Sequence, residues 1–238
     1  MVGNDILSTL AQDNYKLPLQ TMFKGLIFDM DGVLVDSMPA HAHALVVLCE
    51  RFGGAQNWDG DIGKFAGRGP EDVFSALLPK QMEEMGIDAL NDEKERIYRE
   101  IYGPKAELMP ALAEFLDGVK EYGVKCSVGS SGCFENVDMV WKACNLEHWF
   151  EARVCANDVT HCKPSPEIFL TAAERLGLRP EECIVFEDAL SGVEAAKAAG
   201  MKVVTLTTTL PRERLEAAGA DLIIDSFTEV NYNVLCNL

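Results

Sequence analysis

The segment KGLIFDMDGVLVDS, residues 24–37, runs from an apolar stretch directly into three closely spaced carboxylates. Gly25–Phe28 is short, apolar and without alternation, which is typical of a strand that is buried on both faces of a parallel sheet. Asp29, Asp31 and Asp36 follow this run. Carboxylates at the end of a buried strand repel one another and are costly to remove from water. The segment therefore needs something nearby that offsets this cost.

Four later apolar runs have the same character as the first, namely Val124–Val128, Cys183–Phe186, Val203–Leu206 and Leu222–Ile224. Amphipathic helical patterns separate them. One of these patterns, SPEIFLTAAERLG, has Ser165 in the position of an N-cap and Gly177 as its stop. Alternation of strands and helices after residue 105 predicts an α/β fold with a doubly wound, Rossmann-like parallel sheet.

Residues 37–105 break this alternation, because they contain helical patterns only. We expect them to form an inserted helical domain that is hinged near residues 36–38 and 103–106. The α/β core would then comprise residues 22–36 and 106–238. Residues 1–21 have neither a basic start nor a long apolar stretch, so they predict a loosely attached N-terminal extension rather than a signal peptide or a membrane span.

The composition limits the classes of partner. The chain of 238 residues has 21 Lys and Arg against 38 Asp and Glu, which gives a formal charge of −17. A field of this sign repels nucleic acid and anionic membranes, so we expect neither as a partner. An anionic substrate would need a local cation or a bound metal. The eight cysteines form no paired framework, and we expect reduced thiols in a cytoplasmic monomer.

Polar side chains follow four apolar stretches of the chain. These are Asp29 and Asp31 after the first strand, Ser130 after KCSVG, Lys163 after ARVCANDVTHC, and Glu187 with Asp188 after CIVF. Each of them alone is a weak signal, because serines often cap helices and lysines are usually solvated. The carboxyl ends of parallel strands meet at one edge of a sheet, where doubly wound proteins bind ligands. The joint occurrence of these polar side chains after four apolar stretches predicts a single functional site.

The same residues carry a family resemblance. FDMDGVLVDS, Ser130, Lys163 with Pro164, and VFEDALSGVEAAKAAG resemble the four motifs of the haloacid-dehalogenase-like hydrolases. They most resemble the branch with a helical cap after the first motif, which includes small-molecule phosphatases and β-phosphoglucomutase. The resemblance extends from residue 23 to about residue 226, and it implies that the inserted helical domain is this cap.

The resemblance implies a role for each catalytic residue. Asp29 would be the nucleophile that forms an aspartyl-phosphate, which divides one difficult hydrolysis into two easier steps. Asp31 would be the general acid and base. Lys163 would balance the charge of Asp29 and the phosphoryl oxygens, and Ser130 would hold those oxygens with Ser131 beside it in the substrate site. Asp36 is instead expected to be a structural hydrogen-bond acceptor near the hinge.

The resemblance also implies a Mg²⁺ cofactor. Mg²⁺ prefers hard oxygen ligands and retains several waters. Asp29, Asp188 and the backbone carbonyl of Asp31 would hold it, and Glu187 would support it through water or a hydrogen bond. The cation would offset the repulsion among the carboxylates and allow an acidic protein to bind a phosphate.

The predicted cap leaves the choice between two reactions open. His41 falls at the position of a cap histidine of β-phosphoglucomutase, and Lys94 falls roughly at that of a substrate-contacting cap lysine, although helix-face histidines and solvated lysines are also common without a function. The mutase pattern Gly-x-Ser-Arg reads Gly67–Pro70 here, with proline in the place of the arginine. Arg68 could still reach a substrate phosphate from the neighbouring position.

This departure favours a Mg²⁺-dependent phosphatase of a small phosphorylated metabolite, such as a sugar phosphate. The alternative is a β-phosphoglucomutase-like phosphohexomutase. A third reading, from another class, is a non-catalytic binding protein on the same fold. The complete motif set argues against that third reading.

Overall fold

A computed structural model describes residues 23–54, 58 and 70–238. Six parallel strands form one sheet with the order β3-β2-β1-β4-β5-β6. The strands are β1 (Gly25–Phe28), β2 (Lys125–Gly129), β3 (Ala152–Val154), β4 (Cys183–Glu187), β5 (Lys202–Leu206) and β6 (Leu222–Ile224). The predicted doubly wound parallel sheet is confirmed.

Helices cover both faces of this sheet. Those that follow β1 are α1 (Met38–Phe52), α2 (Pro70–Leu77), α3 (Pro79–Met85), α4 (Ile87–Tyr102) and α5 (Leu112–Lys120); those that follow β2 are α6 (Phe134–Ala143), α7 (Glu167–Leu176), α8 (Leu190–Ala198), α9 (Arg212–Ala217) and α10 (Tyr232–Leu235). Ile27 belongs to a hydrophobic cluster with residues of α7 and α8, whereas Leu26 and Phe28 belong to a cluster with α5 and α6. Successive side chains of β1 therefore enter different cores, as the continuous apolar run requires.

The central strand places the predicted site. Phe28, the last residue of β1, lies between Val128 of β2 and Phe186 of β4. The strand order reverses here, because the chain continues to β2 on one side of β1 and to β4 on the other. A crevice at such a switch point, beyond the carboxyl ends of the strands, is the usual ligand site of doubly wound folds.

The helices α1–α4 all lie between β1 and β2 in the chain, and α1 packs along α4. The two connections between this helical segment and the sheet lie side by side. Val35 forms an antiparallel bridge with Leu108, and the Met109 N–H donates to the Leu34 carbonyl at 2.8 Å. The division into a core and a cap spanning residues 37–105 stays a prediction, and residues 1–21 lie outside the described residues.

Two local predictions need correction. Lys163 does not end a strand, because only Ala152–Val154 of the quoted stretch pairs with the sheet, and the lysine lies in a turn before α7. Ser165 is not the N-cap of α7, since Pro166 takes that position. The Ser165 hydroxyl still accepts a hydrogen bond from the Glu167 N–H at 3.4 Å. Among the described residues, no helix is both long enough and apolar enough to cross a membrane.

Candidate active site

Asp29 and Lys163 form the centre of the site. The Asp29 N–H continues the sheet pairing by donating to the Phe186 carbonyl at 2.9 Å. Lys163 Nζ lies 2.5 Å from Asp29 Oδ1 and 2.7 Å from Glu187 Oε1, and it lies 4.7 Å from the centre of the Phe169 ring. Burial alone would lower the pKa of this lysine, but the two carboxylates raise it above its usual value. Lys163 is therefore a buried ammonium ion held between two acids.

Glu187 ends β4 and is fixed by backbone groups. Its Oε2 accepts hydrogen bonds from the N–H groups of Asp188 and Ala189, both at 2.8 Å, while its Oε1 faces Lys163. A Cβ at Gly192 would overlap the Glu187 carboxylate. The glycine thus allows helix α8 to begin directly against this side chain, which explains its place in the motif LSGVEAA.

Asp188 is surrounded by hydroxyl groups from the chain that follows β5. The Thr209 hydroxyl donates to Asp188 Oδ2, and Thr208 Oγ1 lies 3.3 Å from the same oxygen and 2.6 Å from the Gly32 carbonyl oxygen. Gly32 has φ +78°, and a Cβ there would overlap Asp188. Burial, followed by the charge of Glu187, raises the pKa of Asp188 to about 7.

Three carboxylates could hold a metal ion. Asp29, Glu187 and Asp188 each offer one oxygen atom, and these atoms all lie within 4.8 Å of one another. Burial, together with the neighbouring acids, raises the pKa of Asp29 well above its usual value despite Lys163. One ammonium group opposes three carboxylates, so a divalent cation with a preference for hard oxygen ligands fits this donor set. The Asp31 side chain is not a member of this cluster.

The Asp31 side chain contacts the helical segment instead. Asp31 Oδ1 accepts a hydrogen bond from the Ser37 hydroxyl and lies 3.5 Å from His41 Nε2. Burial opposes ionisation of Asp31, but the hydrogen bond and charge of His41, the Ser37 hydroxyl and the charge of Lys94 together lower its pKa. Ser37 is the N-cap residue of α1 but makes no side-chain cap bond, so its hydroxyl serves Asp31 rather than the helix.

The predicted cap residues His41 and Lys94 lie together beside Asp31. Lys94 Nζ is 2.9 Å from His41 Nδ1 and donates to Glu95 Oε1 at 2.7 Å. The His41 ring stacks on the buried ring of Tyr98 with centroids 3.8 Å apart and planes 4° apart. The stacking on Tyr98 and the contacts of Nδ1 with Lys94 and of Nε2 with Asp31 therefore orient the His41 ring. Arg68 lies outside the described residues.

Ser130 and Ser131 follow β2. Ser130 is buried, its N–H donates to the Val154 carbonyl at 3.0 Å, and its hydroxyl accepts from the Gly132 N–H at 3.0 Å. A Cβ at Gly132 would lie 3.9 Å from Asp31 Oδ2, so this loop borders the acid. Ser131 is exposed. Asp36 is also exposed, and it follows the turn at residues 32–34.

The contacts of Ser37, Thr208 and Thr209 were not predicted from the sequence. Ser37 lies within the first motif, but its hydroxyl had no assigned role. The threonines follow β5, which is one more strand ending at the same edge of the sheet. The series of polar strand ends could therefore have been extended to this fifth stretch of the chain.

The chain is similar to one family of hydrolases and to phosphatases within it. The family model for haloacid dehalogenase-like hydrolases matches residues 26–206. The chain is 32% identical to the fructose-1-phosphate phosphatase YqaB of Escherichia coli, over 76% of this chain and 95% of that protein. It is 35% identical to a phosphorylated carbohydrates phosphatase of Thermotoga maritima, over 75% of this chain and 82% of that protein.

Two further comparisons concern coverage and fold. The chloroplastic protein SUPPRESSOR OF QUENCHING 1 of Arabidopsis thaliana is 34% identical over 95% of this chain, which spans only 21% of that protein. The crystal structure of a family IA, variant 3 hydrolase from Entamoeba histolytica has a TM-score of 0.83 at 24% identity, covering 90% of this chain and 98% of that one. This likeness shows a shared fold.

The phosphatases among these relatives place the chain in the enzyme class of phosphoric monoester hydrolases, as the sequence predicted. The motifs at the strand ends and the matched family model lead to the same assignment. The chain belongs to the haloacid dehalogenase-like hydrolases, in the branch of phosphatases and β-phosphoglucomutase-like proteins.

Proposed function

We propose that the chain is a Mg²⁺-dependent phosphatase of a small phosphorylated metabolite, and that it acts through an aspartyl-phosphate on Asp29. The observation that carries the proposal is the buried cluster of Asp29, Glu187 and Asp188 around Lys163, with Asp31 beside it but outside the cluster. One acid can then serve as nucleophile while another exchanges protons.

The first half-reaction transfers the phosphoryl group to the protein. An oxygen of Asp29 attacks phosphorus, the bond between phosphorus and the leaving oxygen breaks, and Asp31 gives its proton to that oxygen. Lys163 stabilises the charge on Asp29 and on the phosphoryl oxygens, which Ser130 and the following backbone hold in place. Asp29, Asp188 and the Asp31 carbonyl, with support from Glu187, would hold Mg²⁺, which would supply positive charge that offsets these acids and the phosphate.

The second half-reaction releases phosphate. Asp31 accepts a proton from water, the water oxygen attacks phosphorus, and the bond to Asp29 breaks to restore its carboxylate. The lowered pKa of Asp31 favours the ionised form that this step needs. The proton that Asp31 takes from water in this step is the one that it gives to the leaving oxygen of the next substrate.

The part of the site that His41 and Lys94 form, the cap side, supports a sugar phosphate as substrate. His41 and Lys94 bring hydrogen-bonding and positively charged groups to the edge of an otherwise acidic site, and the relatives include enzymes named for phosphorylated carbohydrates. We assign substrate contacts to Ser131, His41, Arg68 and Lys94. The residue range 37–105 is proposed as the cap, on a core of residues 22–36 and 106–238.

The simplest test is hydrolysis of an aryl phosphate with and without Mg²⁺, followed by a panel of phosphorylated metabolites. We expect Mg²⁺-dependent release of phosphate and a preference for sugar phosphates. A purified protein that binds these esters but releases no phosphate with Mg²⁺ would support the non-catalytic binding reading instead.

A phosphohexomutase is the second candidate, because the positions of His41 and Lys94 in the sequence resemble cap residues of β-phosphoglucomutase and the two side chains lie together beside Asp31. A mutase must keep water away from its aspartyl-phosphate while an intermediate reorients. The protein should be incubated with β-glucose 1-phosphate, Mg²⁺ and a trace of glucose 1,6-bisphosphate, and both products measured. Phosphate should form faster than glucose 6-phosphate, and the opposite ratio would favour the mutase.

The cellular setting is also proposed. All eight cysteines are free thiols, which is usual in a reducing compartment, and the charge of −17 keeps copies of an acidic protein apart. We therefore assign the protein to the cytoplasm as a monomer, with neither nucleic acid nor membrane as a partner. Sedimentation of the purified protein tests the monomer directly.

A further inference from the structure

Asn136 of helix α6 joins the core to the helical segment. It is 2% exposed, and both ends of its carboxamide bond to helix α4. Asn136 Nδ2 donates to Glu95 Oε2 at 2.7 Å, and Asn136 Oδ1 accepts from Arg99 Nη1 at 2.9 Å. Glu95 and Arg99 lie one turn apart on α4 and therefore face the same direction. One amide thus holds two turns of the helix.

The contacts continue from this amide to the general acid. Glu95 Oε1 accepts from Lys94 Nζ, and Glu95 Oε2 lies 3.9 Å from His41 Nδ1. Lys94 and His41 are in turn 2.9 Å apart, and His41 lies beside Asp31. Within this series, Asn136 is the residue that follows β2 in the chain, whereas the others precede β2.

The two helices also pack closely below the amide. A Cβ at Gly103, just past the end of α4, would lie 3.0 Å from the Met139 sulfur of α6. The glycine therefore allows the end of α4 to approach α6 at a distance that a larger residue would increase. The hydrogen bonds of Asn136 and the close approach of Gly103 to Met139 therefore fix the same relative position of α4 and α6.

We propose that Asn136 is a positioning residue that fixes α4 against α6, so that Glu95 holds Lys94 and His41 in place at Asp31. This inference rests on the proposed function for its kinetic consequence. A carboxamide offers one donor and one acceptor, which match the carboxylate of Glu95 and the guanidinium of Arg99. A carboxylate at this position would repel Glu95, and an apolar side chain would leave both charged groups without this partner.

The test compares Asn136→Asp with the double variant Glu95→Gln/Asn136→Asp, with Glu95→Gln as the reference for the cycle. In the double variant the new amide can donate to the new carboxylate, while Arg99 still donates to the latter. Glu135→Gln is the matched control, because Glu135 is an exposed neighbour on the same helix.

We expect Asn136→Asp to lower kcat/KM for a sugar phosphate by about 10- to 100-fold, the range for a lost hydrogen bond to a charged group. An aryl phosphate, which makes few cap contacts, should lose less. Amide hydrogen exchange in α4 should accelerate, and the His41 ring signals should shift in NMR spectra. The double variant should lie closer to wild type than Asn136→Asp in exchange and kinetics, and Glu135→Gln should match wild type.

The outcomes separate this inference from the proposed function. If wild-type protein hydrolyses no phosphate ester, the proposed function fails, and exchange in α4 with the His41 signals still tests the role of Asn136. Unchanged exchange and unchanged His41 signals in Asn136→Asp would overturn the inference. So would faster exchange with equal losses on sugar and aryl phosphates, because that result would indicate a purely structural contact.

Discussion

The two sides of the site are held by different means. On the core side, Glu187 is fixed by two backbone N–H groups, and Lys163 is buried between two carboxylates. On the cap side, His41 and Lys94 are held by one another and by Glu95. These contacts join side chains of helices α1 and α4. The core side therefore depends on how strands end, whereas the cap side depends on how helices pack.

The pKa values of the two aspartates that follow β1 are also shifted by different groups on the two sides. Asp29 and Asp31 are separated by one residue, yet burial raises the pKa of Asp29 while His41, Ser37 and Lys94 lower that of Asp31 against burial. Neighbouring acids with opposite shifts can take different roles in one reaction. Asp29, the proposed nucleophile, depends on Lys163, whereas Asp31, the proposed general acid, depends on groups that the helical segment brings.

The largest effect is expected from the core nucleophile. Asp29→Asn should reduce turnover by on the order of 10⁴-fold or more, because an amide cannot form the acyl-phosphate. The variant should remain folded, since a neutral amide replaces a carboxylate that is costly to bury. Phosphate release and thermal unfolding measure the two effects. Substantial Mg²⁺-dependent hydrolysis in the pure variant would exclude the covalent mechanism.

The general acid should show a smaller, substrate-dependent loss. Asp31→Asn should lower kcat by on the order of 10²–10⁴-fold on a substrate with a poor leaving group, because no proton reaches the leaving oxygen. The loss in the first step should be smaller for an aryl phosphate, whose leaving group needs less assistance. Equal rates for variant and wild type on a sugar phosphate would remove Asp31 from this role.

Buried Lys163 and half-buried Lys94 compare the two sides directly. Lys163→Met leaves Asp29 and Glu187 buried without their cation, and we expect the free energy of unfolding to fall by about 3–5 kcal/mol in Mg²⁺-free buffer. Lys94→Met should cost about 1 kcal/mol, since its carboxylate partner Glu95 keeps its bond to Asn136.

The loss of kcat/KM in Lys94→Met should depend on the substrate. Lys94→Met should lower kcat/KM about 10-fold for a sugar phosphate and little for an aryl phosphate, because only the metabolite uses cap contacts. Urea unfolding and steady-state kinetics give both comparisons. A larger loss of stability in Lys94→Met than in Lys163→Met would contradict the distinction between the two sides.

The smallest effect concerns the hydroxyl that contacts Asp188. Thr209→Val keeps the shape of the side chain but removes the hydrogen bond, and we expect the Mg²⁺ concentration for half-maximal rate to rise about 10-fold. Thr207→Val is the control, because the Thr207 hydroxyl bonds to Asp225 instead. Identical Mg²⁺ titrations for both variants would place the metal away from Asp188.

The core side could be predicted because its signals are local. An apolar run followed by Asp29, or by Glu187 and Asp188, identifies a strand and its functional end in a few residues. Lys163 was found by its motif, but its place at the end of a strand was wrong, since a long loop separates it from β3. The threonines after β5 were missed because hydroxyl residues after a strand are common in turns.

The contacts of the cap side could not be read from the sequence. His41 and Lys94 were chosen by resemblance, and their contact depends on α1 packing along α4. Asn136 gave no signal, because a polar residue early in a helix is ordinary and its partners lie on another helix far away in the chain. Contacts of this kind are specified by the packed structure as a whole.

The bridge between Val35 and Leu108 has a consequence for the architecture of such enzymes. Residues paired in this way lie about 5 Å apart, so the chain leaves the sheet and returns to it at nearly the same point. The sheet is therefore insensitive to the length of what is inserted there, because closing the gap requires only a short turn. An insert of another length could therefore leave and rejoin the chain at this point, and it could bring a different specificity to the same strands.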